Sequence, residues 1–196
     1  LLYSQIARPY SPGLMVSLAA TLSWTMLLFD EEQTRRKQFG NAVLFSIAIA
    51  SCMYTHYFSF IFAGILCFTG LFFLKKDRVV TYLLSGALIV ILFLPHLQIS
   101  LEQISRGGIG GPDGWLGPPD RDTLKKYFNY IFNDSNSLKI LYLVIFTGTI
   151  LLYRREIKLS KFHFLSGWFF ITPFWVAYYY SLNVNPVYQH SVQLFS

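Results

Sequence analysis

Charge is scarce in this chain: Asp, Glu, Lys and Arg together make up 13% of its 196 residues, against about 25% in an ordinary soluble domain. Cysteine is nearly absent, and the two present, Cys52 and Cys67, both lie within apolar runs. They read as small buried residues, since neither a disulfide framework nor a thiolate metal site fits that usage. No Walker loop, zinc-ligand spacing or Gly-x-Ser-x-Gly turn occurs, so the signatures of P-loop, zinc and serine-hydrolase chemistry are missing. No pair of carboxylates has a spacing that demands acid–base chemistry. No buried charge sits inside any of the expected spans, which argues against an ion pump or a proton-coupled path. The internal repeat with broken helices expected of a secondary transporter is also lacking.

Apolar and aromatic surface fills the space that charge leaves. Hydrophobic residues are 54% and aromatic residues 18% of the chain, with 19 Phe and 13 Tyr, and the mean hydropathy is +0.43. Repeated apolar runs at that hydropathy specify an integral membrane protein. The net charge of +6 would suggest nucleic acid in a soluble chain. Here the basic residues fall in short stretches between apolar runs, a topology signal, and no nucleic-acid binding is read from it.

Taken in order, Pro12 to Phe29 is the first run, and Pro12 suits the first turn of its helix. It stops at Asp30-Glu31-Glu32, followed by Arg35, Arg36 and Lys37. Asn41 to Leu74 would reach about 50 Å as one straight helix, too long for a single crossing. Both its flanks are basic, so the region must cross twice, with the turn near Tyr54-Thr55-His56-Tyr57. Val79 to Leu94 returns and ends at Pro95-His96. The polar stretch from Gln98 to Ser137 follows, with Asp120 or Asp122 as cap of a short helix over Thr123 to Phe132. That helix would put Tyr127, Phe128 and Ile131 on one face and lie in the interface. Leu138 to Tyr153 and Phe162 to Leu182 are the last two runs, the second carrying an aromatic belt at Trp175, Tyr178, Tyr179 and Tyr180.

The expected fold is therefore all-α: a polytopic membrane protein with about six transmembrane helices and one long outer loop containing short interfacial helices. The spans fall near 12–29, 41–55, 58–74, 79–96, 138–153 and 162–182, and the outer loop covers 97–137. Ten of the 16 basic residues lie in three stretches assigned to the inner face, namely Arg35, Arg36 and Lys37, then Lys75, Lys76 and Arg78, then Arg154, Arg155, Lys158 and Lys161. The outer segments hold Arg8, Arg106, Arg121, Lys125, Lys126 and Lys139. The chain begins without Met and ends at Gln193-Leu194-Phe195-Ser196 inside what reads as another apolar run. It is expected to be an internal piece of a larger protein.

This topology gathers Gln5, Arg8, Tyr10, His56, Tyr57, His96, Gln189 and His190 on the outer side. Arg8 stands alone ahead of the first run. A lone guanidinium there serves either as a snorkelling anchor or as a fork for a phosphate at the membrane surface. His56 reads more readily as a satisfied turn histidine than as a ligand, and His96 as a helix-end group.

The segment Tyr3-Ser4-Gln5-Ile6-Ala7-Arg8-Pro9-Tyr10 resembles the Ser-Gln-x-Ala-Arg-x-Tyr signature of bacterial membrane glycosyltransferases of the protein mannosyltransferase and aminoarabinose transferase type, which are GT-C enzymes. Tyr54-Thr55-His56-Tyr57-Phe58 resembles their Thr-His-Tyr hairpin. Leu94-Pro95-His96, with the Gln- and Trp-containing loop after it, looks like the segment after their next span. Asn185-Pro186-Val187-Tyr188-Gln189-His190 is similar to their Pro-x-x-x-Arg-Tyr region. Two positions depart: Ile6 stands where many members have Glu, and Gln189 or His190 where they have Arg.

The resemblance implies a bacterial inner-membrane enzyme whose site faces outward. It would move a sugar from a polyprenyl-phosphate donor to an acceptor hydroxyl on a lipid, glycan or protein. Arg8, His56, Tyr57, Gln5, Tyr10 and His190 would bind the donor phosphate or substrate. The catalytic acid of that family lies upstream of its Ser-Gln-x-Ala-Arg motif, so it is expected before Leu1, and this stretch alone is expected to be inactive. No metal ligand is assigned; a divalent metal is compatible with the family. The rival reading is a non-catalytic polytopic membrane protein, a transporter or scaffold subunit, in which Arg8 anchors a helix.

Overall fold

The computed structural model describes residues 10–105, 117–120, 122–154, 160–184 and 186, with the side chains of Tyr10, Gln103 and Ile104 left aside. Among them every regular element is helical: α1 (Tyr10–Phe29), α2 (Arg35–Thr55), α3 (Tyr57–Phe72), a 3₁₀ turn (Lys76–Arg78), α4 (Val79–Ser105), α5 (Thr123–Ile131), α6 (Asn136–Tyr153) and α7 (Lys161–Asn183). Among the described residues, three segments are long and apolar enough to cross a membrane: Ser11–Phe29, Lys76–Glu102 and Asn136–Tyr153. Helix α3 is apolar but has 16 residues, about 24 Å against a hydrocarbon core of about 30 Å. Helix α2 opens with Arg35, Arg36 and Lys37, and α7 carries His163 and a run of Tyr and Trp, which lowers the apolarity of both.

Helices α1 to α4 form the packed body, around Trp24, Leu27, Leu28, Phe45, Ile49 and Leu66. Small side chains let the helices approach, as they do where lipid replaces water as the solvent and association rests on packing. Ser46 lies buried between α2 and α4, donating to Ala42 O at 2.8 Å and to Ser85 O at 3.2 Å. Gly70 of α3 faces Trp24 of α1 and Tyr82 of α4. A Cβ there would stand 2.1 Å from the Tyr82 hydroxyl and 2.8 Å from Trp24 Nε1, so only glycine fits this crossing. The Tyr82 hydroxyl donates to Cys67 O at 2.7 Å. Both cysteines are free thiols.

Helix α7 packs along α3, where Trp168 Nε1 donates to Thr69 Oγ1 at 2.9 Å. Helix α6 has no buried residue. Large apolar side chains such as Leu18, Ile47, Val90, Ile91 and Leu143 are exposed. Water would not tolerate so continuous an apolar exterior, whereas lipid does. The molecule is a membrane protein by length, composition and surface.

Two expectations are corrected. Helix α4 does not end at Pro95-His96; it continues through Pro95 to Ser105, so its last turns occupy the start of the expected outer loop. Proline removes one backbone donor and disturbs the carbonyls a turn earlier. The hydroxyl of Tyr54 on α2 donates to Leu92 O at 2.8 Å, so a neighbouring helix satisfies a carbonyl beside the interruption, the condition under which apolar helices tolerate proline. In α5 the expected apolar face is split. Tyr127 is buried against Phe174 of α7, with ring centroids 5.5 Å apart, while Phe128 and Ile131 are exposed. Asp122 makes no side-chain cap bond. Asp120 instead closes the turn ahead of the helix, its Oδ1 accepting from Thr123 Oγ1 at 3.0 Å and from Asp122 N at 3.1 Å.

Candidate functional site

The body has two chemically distinct ends. At one, the helix that begins at Tyr10 meets the break between α2 and α3: a Cβ on Gly13 would lie 2.8 Å from Ser59 Oγ and 3.9 Å from Thr55 Cγ2. The same end holds His56, Tyr57, His96, α5, the start of α6 and the last turns of α7. At the other end stand Glu31, Lys75, Arg78 and Lys161.

The break itself is built on His56. Its extended backbone, φ −163° and ψ 148°, ends α2 and starts α3. Its Nδ1 accepts the Phe58 N–H at 3.2 Å, which satisfies one of the orphan donors of the new helix. The ring stacks on Phe58 at 5.7 Å. Burial pushes the imidazole below its ordinary range, so at neutral pH it is uncharged. With Nδ1 accepting, the proton resides on Nε2. His56 is thus a neutral imidazole.

Around this break, Tyr54 lies against His96 with ring centroids 4.6 Å apart, and Phe93 flanks the same imidazole at 5.9 Å. Tyr57 is exposed beside His56. Phe58, Tyr127, Phe174 and Ala177 form a small second core that pins α5 across the ends of α3 and α7. Helix α5 carries Lys125 and Lys126, and Lys126 pairs with Asp120. That pairing and the Thr123 hydroxyl hold the Asp120 carboxyl below the usual range, and it raises Lys126. Lys139 of α6 donates to Asn129 Oδ1 at 2.7 Å and to Asn136 Oδ1 at 3.2 Å. Sequence reasoning had counted Lys139 only for sidedness. The signal that marks it is Asn136-x-x-Lys139, which sets acceptor and ammonium on one helix face.

Of the sequence-derived site residues, His56 and Tyr57 are adjacent at this end. Gln5, Arg8 and His190 lie outside the described residues, and Tyr10 is described only as the first residue of α1. Among the described residues no group of three His, Cys, Asp or Glu side chains is placed to hold a metal ion. No protein-family model matches this sequence, and no curated protein or solved structure does either.

The neutral state of His56 has a consequence for stability. Its pKa in the folded protein lies below the unfolded value of about 6.5, so the unfolded chain binds more protons in that window and stability falls as pH drops below 6.5. His56→Asn keeps a capping acceptor but cannot titrate. Thermal unfolding from pH 7.5 to 5 is expected to show a smaller acid-induced fall for His56→Asn than for the wild type. Identical slopes would mean that His56 does not titrate in this window.

Proposed function

We propose that this chain is part of the transmembrane domain of a polyprenyl-phosphate-sugar-dependent glycosyltransferase of the GT-C type, in which six of its helices span the membrane and the His56 end faces outward. The observation that carries the reading is the assembly at one end of His56, Tyr57 and the start of α1. The chain leading into that helix holds the Ser4-Gln5-Ile6-Ala7-Arg8 segment. The basic residues at the opposite end favour that orientation, by the excess of Lys and Arg on cytoplasmic faces.

In this reading the acceptor hydroxyl oxygen attacks the anomeric carbon while the bond to the phosphate oxygen breaks on the far side, inverting the centre. A carboxylate upstream of Leu1 takes the hydroxyl proton. The lipid phosphate leaves with the electron pair, and groups that donate to its oxygens lower the barrier. Arg8 supplies a bidentate fork for that phosphate. His56 and Tyr57 line the same edge of the site. Gln5, Tyr10 and His190 complete the substrate contacts, and α5 with its lysines roofs the end.

The test is transfer by the full-length protein in vesicles supplied with radiolabelled polyprenyl-phosphate sugars. Donor-dependent labelling of an acceptor is expected. Failure of every lipid-linked sugar would return the protein to the rival class of non-catalytic transporter or scaffold.

A further inference from the structure

An open groove of about 760 Å³ runs between α3 and α7 on the outside of the body, from the basic end toward Trp175. Its walls include Phe72 and the following Phe73 at the end of α3, and Phe164, Trp168 and Ile171 from α7, with Trp175 at the far end. The polar atoms in the lining are few. The Thr69 hydroxyl already accepts the Trp168 indole N–H, and Thr172 adds one further hydroxyl. A sugar or peptide would find almost nothing to bond here, whereas a hydrocarbon chain needs no partner.

The groove has a charged mouth. Lys161 belongs to the lining and is exposed, its Nζ lying 4.5 Å from the Phe29 ring centroid and 5.3 Å from that of Phe162. The nearby Glu31 carboxylate is held by Lys75 at 3.1 Å. Fourteen residues separate Lys161 from Trp175, about 21 Å along a helix, somewhat more than the roughly 15 Å of one leaflet. The dimensions and the charge therefore run together: a cation at headgroup level, then an apolar trough through the depth of a leaflet.

We propose that this groove holds one acyl chain of an anionic phospholipid, with its phosphate against Lys161. Its cationic mouth at Lys161 lies at the opposite end of the molecule from His56, and the proposal does not depend on the sugar-transfer reading. Its occupant is a structural lipid of the leaflet on the basic side. Gly167 lines the groove, and a Cβ there would meet nothing within 4 Å. A larger side chain at this position therefore enters the trough without straining the helix.

The experiment reads tryptophan quenching by brominated lipids, since Trp168 and Trp175 border the groove. The full chain is reconstituted in phosphatidylcholine vesicles containing brominated phosphatidylglycerol or, separately, brominated phosphatidylcholine. Phosphatidylglycerol is expected to associate about fivefold more strongly, the gain expected for one basic side chain near an anionic headgroup. Lys161→Gln, at an exposed position, is expected to remove that preference while quenching by phosphatidylcholine persists. Gly167→Leu is expected to reduce quenching by both lipids at unchanged helix content. Equal association of the two lipids in the wild type would overturn the proposal. So would a preference that survives Lys161→Gln, or quenching unaltered in Gly167→Leu, as when a protein segment rather than lipid covers the groove.

Discussion

Arg8→Ala in the full-length protein is expected to lower sugar transfer from a polyprenyl-phosphate donor by about 10²–10³-fold, the loss that follows removal of one strong donor to a developing anion. The effect should fall on turnover more than on donor affinity, because the phosphate gains charge as the glycosidic bond breaks. Arg8→Lys should recover only part of the rate, since an ammonium keeps the charge but loses the two parallel N–H bonds of the guanidinium. The measurement is initial rate at saturating donor, with protein yield and helix content checked in parallel. Unchanged rates in Arg8→Ala would make this residue an interfacial anchor and remove the phosphate from the first stretch of the chain.

The all-helical class was legible because the apolar runs are long, and the break at His56 because Tyr54-Thr55-His56-Tyr57 is the strongly polar point between two apolar stretches. What the sequence did not reveal is which side of each helix turns inward. In a soluble helix the apolar stripe identifies the buried face. In α1 both faces are apolar: Trp24 is 2% exposed and Leu22 57% exposed, yet hydropathy ranks Leu22 as the better core residue. Lipid outside and packed protein inside ask for the same chemistry, so periodicity carries little information. Pro95 misled for a related reason. Its local rule predicts a helix end, whereas α4 continues through it, with the Tyr54 hydroxyl bonded to Leu92 O beside the interruption. At the site, the pairing of Thr55-His56-Tyr57 was readable as a motif, but the neutral state of His56 was not. It follows from burial and from the Phe58 N–H that occupies Nδ1, and neither is visible in composition.

Arg78 shows the same gap with a larger energetic consequence. By sequence it is one of three basic residues between apolar runs, Lys75, Lys76 and Arg78, and its charge was read only as a sign of sidedness. In the fold it is 5% exposed. Its Nη1 donates to Leu27 O at 2.7 Å and its Nη2 to Asp30 O at 2.6 Å, so one guanidinium closes the C-terminal end of α1. The last carbonyls of any helix lack intrahelical partners, and a cation suits the negative end of the helix dipole. Gln33 serves the preceding carbonyl, its Nε2 donating to Met26 O. Arg78→Ala would leave the Leu27 carbonyl without its partner in a buried setting and is expected to cost about 3 kcal/mol, read as a lower unfolding midpoint in detergent or lipid. Arg78→Met separates volume from bonding, because it fills the space without a donor. If Met restores wild-type stability, packing rather than the two hydrogen bonds holds this end together. Arg78→Lys should fall between, since a single ammonium cannot match the fork that reaches both carbonyls. The 20 residues of α1 place this cap about 30 Å from the His56 end. Transfer per folded molecule is therefore expected to survive Arg78→Ala, while the folded fraction falls.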